Sequence, residues 1–239
     1  MFSFFSKKTT LSKVDIHSHL IPSIDDGSKD MESSIELIRE LQSLGYKKLI
    51  ITPHSSDMFA NSSSTILEGY NRLKDELNSQ GILMEIEVAC EYYVDERFEK
   101  LLLDRDILTF GQPKYLLFEL SYFTIPRDIK ETIYEIKLNG YTPVLAHPER
   151  YLYWHDDFEQ YKYLKSEGVL FQVNINSISG YYNKGVQRTV ERLIKNRMVD
   201  FMGTDTHHLT HIENLKKSFG NSLYKKAFRI NTILNDTLL

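Results

Sequence analysis

Six short hydrophobic runs in this chain each end in a residue able to ligate a metal, and this pattern restricts the fold more than any other feature. Lys13-Val-Asp-Ile runs into His17 and His19, the run from Lys48 ends in Pro53-His54, and Glu85 to Cys90 ends in Glu91. Tyr115 to Phe118 ends in Glu119, Tyr141 to Ala146 in His147, and Val199 to Thr204 in Asp205, with His207 two residues on. A single His-x-His says little, because period-two spacing on a strand simply places two imidazoles on one face. Six ligand-tipped strands say much more. In a parallel barrel or sheet the carboxyl ends of the strands converge on one face, and that face is where sites are built. The pattern implies metallohydrolase chemistry.

Helical periodicity fills the intervals. Ser28-Lys29-Asp30 opens an amphipathic stretch through Leu44 that stops at Gly45, and Ile66 to Leu77 repeats the pattern before Gly81. Further helices are predicted over 95–103, 127–139, 156–166 and 186–197, with one or two more at the C-terminus, and Gly140 is expected as a left-handed C-cap. With strands near 47–53, 84–91, 115–120, 142–147, 169–174 and 199–204 after the first, the alternation gives seven βα units. This predicts a single-domain α/β protein over 13–239, its mostly parallel sheet closed or nearly so, after an N-terminal tail at 1–12. A length of 239 residues suits one such domain. The sixth strand is the exception, ending in Asn174-Ile-Asn176 with no charged or imidazole ligand. Those two amides either orient ligands or substrate, or satisfy loop backbone.

The net charge of −4 and the lack of a basic stripe disfavour a nucleic-acid partner. One cysteine, Cys90, excludes an internal disulfide framework and fits a reducing compartment, so the cytoplasm is the expected location. The opening Met1-Phe-Ser-Phe-Phe-Ser-Lys-Lys8 is too short in its apolar part for a signal peptide and reads as a disordered tail, with weak membrane or partner docking as the alternative. No run approaches the roughly 20 apolar residues of a membrane span.

Taken together, His17-x-His19, Ile24-Asp25-Asp26-Gly27, Thr52-Pro53-His54, Glu91, Phe118-Glu119, Ala146-His147-Pro148-Glu149-Arg150 and Gly203-Thr204-Asp205-x-His207 resemble the PHP (polymerase and histidinol phosphatase) superfamily. Within it they resemble the bacterial tyrosine-protein phosphatases that accompany capsule and exopolysaccharide synthesis. The resemblance spans about 13–210. It implies a distorted (β/α)7 barrel with two or three metal ions in its mouth, acting on phosphotyrosine in the tail of a membrane-associated tyrosine autokinase. Such a substrate would draw the protein to the inner membrane as a peripheral visitor. By position, His17, His19, Glu91 and Asp205 match the ligands of one ion; Glu91, as a bridge, shares a second with Glu119 and His147; Asp26, His54 and His207 match a third. Arg150 matches a phosphate-contacting arginine. The family commonly carries another arginine after the last Asp-x-His, whereas His208-Leu-Thr-His211-Ile-Glu has none.

Imidazole and carboxylate ligands without thiolate suit manganese foremost, and zinc or iron as alternatives. The expected nucleophile is a hydroxide bridging two ions, whose pKa the metals lower toward neutrality. Arg150 would offer a two-pronged contact to phosphoryl oxygens, and His207 or a metal-bound water would supply a proton to the leaving group. A cysteine mechanism fails on spacing, since Cys-x5-Arg counted from Cys90 lands on Glu96, with Arg97 one residue late. Two other readings remain: hydrolysis of a small phosphomonoester such as histidinol phosphate, and a non-catalytic binding module. Asp25 is read as a turn or supporting residue, and Glu149 as either functional or paired with Arg150 or a helix end. Tyr151 to Trp154, with His155, either lines the entrance or forms a hydrophobic cluster under a loop. Tyr181-Tyr182 is a candidate rim, and His208 and His211 are read as surface residues.

Overall fold

The computed structural model describes residues 10–126 and 128–239. Most of the expected tail, residues 1–9, and Arg127, where a helix start is predicted, lie outside the described residues. The elements run β1 (Val14–Asp15), α1 (Met31–Ser43), β2 (Lys48–Ile51), β3 (His54–Ser55), α2 (Ser63–Ser79), β4 (Glu85–Val88), β5 (Glu91–Tyr93), α3 (Glu96–Asp104) and β6 (Tyr115–Glu119). They continue as α4 (Ile129–Leu138), β7 (Thr142–Ala146), α5 (Phe158–Ser166), β8 (Leu170–Asn174), α6 (Ile175–Ile178), α7 (Lys184–Lys195), β9 (Phe201–Gly203), α8 (Leu209–Phe219) and α9 (Ser222–Ile230).

The named strands pair in parallel, in the orders β1-β2-β4 and β3-β5-β6-β7-β8-β9. Two predicted strands are each broken in two. The first break falls at Thr52-Pro53, where proline has no N–H to give a ladder; its neighbour breaks alongside it at Ala89-Cys90. Pairing nevertheless crosses the gap, because Ala89 N–H donates to Ile51 O at 2.9 Å and Glu91 N–H to Pro53 O at 3.0 Å. The ring then closes on itself: Ser18 bridges Thr206, Asp205 N–H donates to His17 O at 2.8 Å, and His19 N–H donates to Thr206 O at 3.0 Å. The two sheets are therefore arcs of one distorted parallel barrel with seven strand positions, as the alternation predicts.

Strand alternation separates two layers of core. Leu49, Ile51, Leu116, Phe118, Leu145, Phe171 and Val173 belong to the layer packed with the helices. Val14, Ile16, Ile50, Leu117, Val144, Ala146 and Phe201 fill the interior with Phe110, Tyr115 and Leu238. Helix starts follow local chemistry: Asp30 accepts from Ser33 N–H to cap α1, Ser62 caps α2, and Asp95 accepts from Phe98 N–H to cap α3. Gly140 adopts φ of +83° after α4, the conformation that leaves a helix most cheaply without a Cβ. No helix among the described residues is long and apolar enough to cross a membrane.

Candidate metal centre

At the carboxyl ends of the strands lies a cleft of about 300 Å³ lined by Asp26, His54, Glu91, Glu119, His147, Asp205 and His207, together with Tyr122, Arg150, Tyr182, His208 and His211. His17 and His19 are fully buried among these residues. All nine candidate ligands meet here, in four groups whose ligand atoms lie within 4.8 Å of one another. The groups are His17-His19-Asp205, His17-Glu91-His147, His54-Glu91-Glu119 and His19-Asp26-His54-His207. Their partition differs from the expected one: Glu91 gathers with His17 and His147 and with His54 and Glu119 rather than with the His17-His19-Asp205 group, and His147 gathers with His17 rather than Glu119. His19 also reaches the Asp26 group, and Glu119 gathers with His54 as well as Glu91.

Strand parity explains three of these positions. Tyr115 and Leu117 face the interior, so Glu119 faces it too; Ile50 sets the same parity for His54, and Ala89 for Glu91. His147 departs from this pattern. It shares the parity of Leu145, which packs with the helix layer, and a left-handed backbone with φ of 33° turns it into the mouth. Asp205 is also left-handed, with φ of 51°. Such strain in non-glycine residues persists only where surrounding contacts impose it, and it concentrates at functional sites.

The donor set fits divalent cations. Three imidazole nitrogens converge on Glu91 Oε2: His17 Nε2 at 3.1 Å, His54 Nδ1 at 3.2 Å and His19 Nε2 at 3.3 Å. That oxygen is buried and makes no hydrogen bond among the described residues. Against the penalty of burial, His17 and His54 hold the Glu91 carboxyl well below its usual range, and His17, His207 and Arg150 do the same for Asp205. Likewise against burial, Glu91 and Glu119 draw His54 up to about 9. Burial lowers His147, leaving its imidazole neutral as a ligand must be.

Supporting residues aim the ligands. Asp25 Oδ2 accepts from His19 Nδ1 at 2.9 Å and from His54 N–H at 3.0 Å, while Oδ1 accepts from Gly27 N–H, so Asp25 is both a turn and a supporting residue. Against its burial, His19 holds Asp25 at about 2. Asp205 Oδ2 is occupied by Asn174 Nδ2 at 2.6 Å, Arg150 Nη1 at 3.1 Å and the Tyr182 hydroxyl at 3.3 Å. Its Oδ1 is left facing His207 Nδ1 at 3.4 Å, His19 Nε2 at 3.5 Å and His17 Nε2 at 3.6 Å. The Arg150 guanidinium is clamped between the Tyr122 and Tyr182 rings, 4.4 Å from each centroid. Tyr182 is thus a true wall of the cleft.

Of the two readings open for Tyr151 to Trp154, the hydrophobic cluster is the one found: Tyr151 and Trp154 are buried in the core, with Tyr151 Oη donating to Ala146 O and accepting from Leu120 N–H. His155 Nε2 donates to Glu149 O. His211 is a correction: it is buried, its Nδ1 2.8 Å from Asp205 O, and burial pulls its pKa down to about 4. His208 is exposed as read, although it lines the cleft rim. Glu149 is buried at the start of α6, where Oε1 accepts from Asn174 N–H and Ser177 Oγ, and burial raises its pKa to about 7. The two asparagines divide the roles left open: Asn174 orients Asp205, and Asn176 donates to the backbone carbonyl of His211. Sequence reading overlooked Tyr122 and Gln172. Gln172 lies two residues before Asn174, on the same strand face, and that spacing was the available signal.

The family profile described as capsular polysaccharide synthesis, CpsB/CapC, matches residues 13–232. The chain belongs to the CpsB/CapC family. Among CpsB/CapC relatives it is similar to the tyrosine-protein phosphatase YwqE of Bacillus subtilis, with 28% identity over 219 residues, 88% of this chain and 86% of YwqE. It is also similar to the tyrosine-protein phosphatase CpsB of Streptococcus agalactiae, with 30% identity over 203 residues, 82% of this chain and 83% of CpsB. A crystal structure from the YwqE (Bacillus subtilis) and CpsB (Streptococcus pneumoniae) pair, metal-dependent tyrosine phosphatases, superposes with a TM-score of 0.78 at 27% identity, covering 92% of this chain and 96% of that one. Histidinol phosphate phosphatase from Lactococcus lactis shares the fold, with a TM-score of 0.57 at 15% identity over 91% of this chain and 94% of that one. The PHP-type architecture implied by the motifs is the architecture found.

Proposed function

We propose that this CpsB/CapC chain hydrolyses phosphotyrosine in proteins, and that its substrate is the tail of a membrane-associated tyrosine autokinase in capsular or exopolysaccharide synthesis. The observation that carries the reading is the convergence of nine imidazole and carboxylate ligands beside an arginine held ready for a phosphoryl group. The relatives' shared description as tyrosine-protein phosphatases supports the choice of substrate.

His17, His19, Asp26, His54, Glu91, Glu119, His147, Asp205 and His207 would hold two or three divalent ions, manganese foremost. When bound, such ions lower the pKa of water toward neutrality and draw charge from phosphoryl oxygens. Arg150 spends one N–H group on Asp205 and is fixed in the plane between two tyrosine rings. Its remaining N–H groups are then free to meet two phosphoryl oxygens as charge develops. Phenol has a pKa of about 10, so a tyrosyl leaving group needs little proton donation. His207, 13% exposed, or a water held by the ions would supply it.

The test is initial-rate hydrolysis of a phosphotyrosine peptide, a phosphoserine peptide and histidinol phosphate with Mn²⁺, with and without EDTA, alongside His147→Ala. Chelator-sensitive turnover selective for phosphotyrosine and lost in the variant is expected. Preference for histidinol phosphate would move the protein to small-molecule metabolism. No turnover by metal-replete protein would leave a binding module.

A further inference from the structure

A second cavity, of about 450 Å³, opens beside the metal cleft and shares His54, Glu119 and Tyr122 with it. Met58, Phe59 and Tyr93 give its other walls a mainly apolar and aromatic face, and Ser56, Asp57 and Asp95 line it too. We propose that this trough is the subsite for the aromatic ring of the substrate, the element that separates an aryl phosphate from an alkyl one. The proposal rests on the phosphotyrosine reading above and specifies where the tyrosyl group lies.

A phosphoryl group seated over the ligands must send its ester substituent out past one wall of the cleft. On the Arg150 side that wall is tied up, because Arg150, Tyr182 and Asn174 all donate to Asp205. The His207-His208-His211 side presents imidazoles. The Tyr182 ring on the Arg150 side is already covered by the guanidinium, whereas the trough side offers mainly apolar and aromatic surface continuous with the metal cleft.

That surface is built in advance. Ser56 N–H donates to Phe59 O and Phe59 N–H to Ser56 Oγ, each at 3.0 Å, closing a tight turn. Asp95 Oδ2 accepts from Asp57 N–H at 2.8 Å, and Asn61 Nδ2 donates to His54 O at 2.9 Å, so the turn is pinned at both flanks. The Phe59 ring consequently lies nearly parallel to the His54 imidazole, 12° apart with centroids 5.7 Å apart. Across the trough Tyr122 is immobilised by the Arg150 guanidinium on its face. Aromatic rings held in fixed positions are an economical platform for another ring, because little side-chain entropy is lost on contact. Met58, in the trough lining, is 83% exposed. Large apolar groups left in water at the edge of a site mark a contact surface.

The experiment measures binding of benzylphosphonate and methylphosphonate to manganese-loaded protein by calorimetry, in the wild type, Phe59→Leu and Met58→Ser. Leucine keeps bulk against His54 but removes the aromatic face, and Met58 is too exposed for its loss to threaten folding. The wild type should prefer benzylphosphonate, and Phe59→Leu should reduce that preference by about three- to tenfold while leaving methylphosphonate affinity within about twofold. Met58→Ser should move the preference in the same direction. An absent preference in the wild type, or an equal loss for both ligands in Phe59→Leu, overturns the subsite. Failure to hydrolyse a phosphotyrosine peptide with the preference intact would instead refute the phosphatase reading.

Discussion

Replacing Gln172 with methionine should weaken metal binding by about 10–100-fold, the range typical for losing a partner that orients a ligand. Gln172 is fully buried on β8, and its Oε1 accepts from His17 Nδ1 at 2.8 Å and from His147 N–H at 3.3 Å. Its Nε2 donates to Asn174 Oδ1 at 2.9 Å, which turns the Asn174 amino group onto Asp205 Oδ2 at 2.6 Å. One neutral amide thus keeps the His17 proton on Nδ1, leaves Nε2 bare for a cation, and sets the Asp205 carboxylate through a single intermediary. Methionine matches the length but offers neither acceptor nor donor of that strength. Each buried group left unpaired costs about 1–3 kcal/mol, and a 10–100-fold loss of affinity corresponds to about 1.4–2.7 kcal/mol. One such orphan felt in the metal-loaded state is enough. The assay is a manganese titration by calorimetry, reading both stoichiometry and Kd, with the Tm of metal-free protein measured alongside. A lowered metal-free Tm with unchanged metal affinity would refute the reasoning and leave Gln172 a purely structural residue.

Other consequences are open to direct measurement. Cys90 is fully buried, its Sγ 3.2 Å from Pro53 O, and burial raises its thiol well above the usual range, so Cys90→Ala should retain most phosphatase activity whereas EDTA abolishes it; the reverse pair of results would restore a cysteine mechanism. At Gly27 a Cβ would lie 2.3 Å from His19 O and 2.5 Å from His19 Cβ. Gly27→Ala must therefore push the Asp25-Asp26 turn away from His19, lowering both Tm and bound-metal stoichiometry by elemental analysis, and unchanged values would contradict the close approach. Burial pushes the Tyr224 phenol up to about 12. The unfolded phenol, near about 10, loses its proton first. The stability tied to that proton is therefore complete below about pH 10, and about 3 kcal/mol of it is lost as the pH rises to about 12. Urea unfolding at pH 9 and 11.5 should show a smaller drop for Tyr224→Phe than for the wild type; equal drops would count against it.

The barrel was legible because six of the seven predicted strands ended in a residue type that rarely closes a hydrophobic run by chance. Glu91, Glu119 and His54 needed nothing beyond strand parity. His147 did need more, since its entry into the mouth depends on a left-handed backbone that no periodicity encodes. The splitting of two strands had a sign in Pro53, whose missing donor is local, but the matching break at Ala89-Cys90 follows only from pairing across the ring. Neutral polar residues were the larger gap. Gln172 and Tyr122 carry no charge and sit in hydrophobic surroundings, so their chemistry appears only when three-dimensional neighbours supply the hydrogen bonds. His211 was misread because its exposure depends on α8 folding back over the cleft rather than on its own polar sequence context.

The closure between the first and last strands sets the order in which such a chain can assemble. Asp15 accepts from the Thr204 backbone N–H and hydroxyl across 189 positions of sequence, and its neighbours His17 and His19 meet Asp205 at the same seam. Contacts of such separation form late, because the entropy of closing a long loop must be met before they yield anything in return. The candidate ligands on one side of the seam are synthesised long before those on the other. The centre is therefore expected to form late, and a cation held there would act as a clasp on the closed ring. Metal loading should slow unfolding far more than it speeds folding.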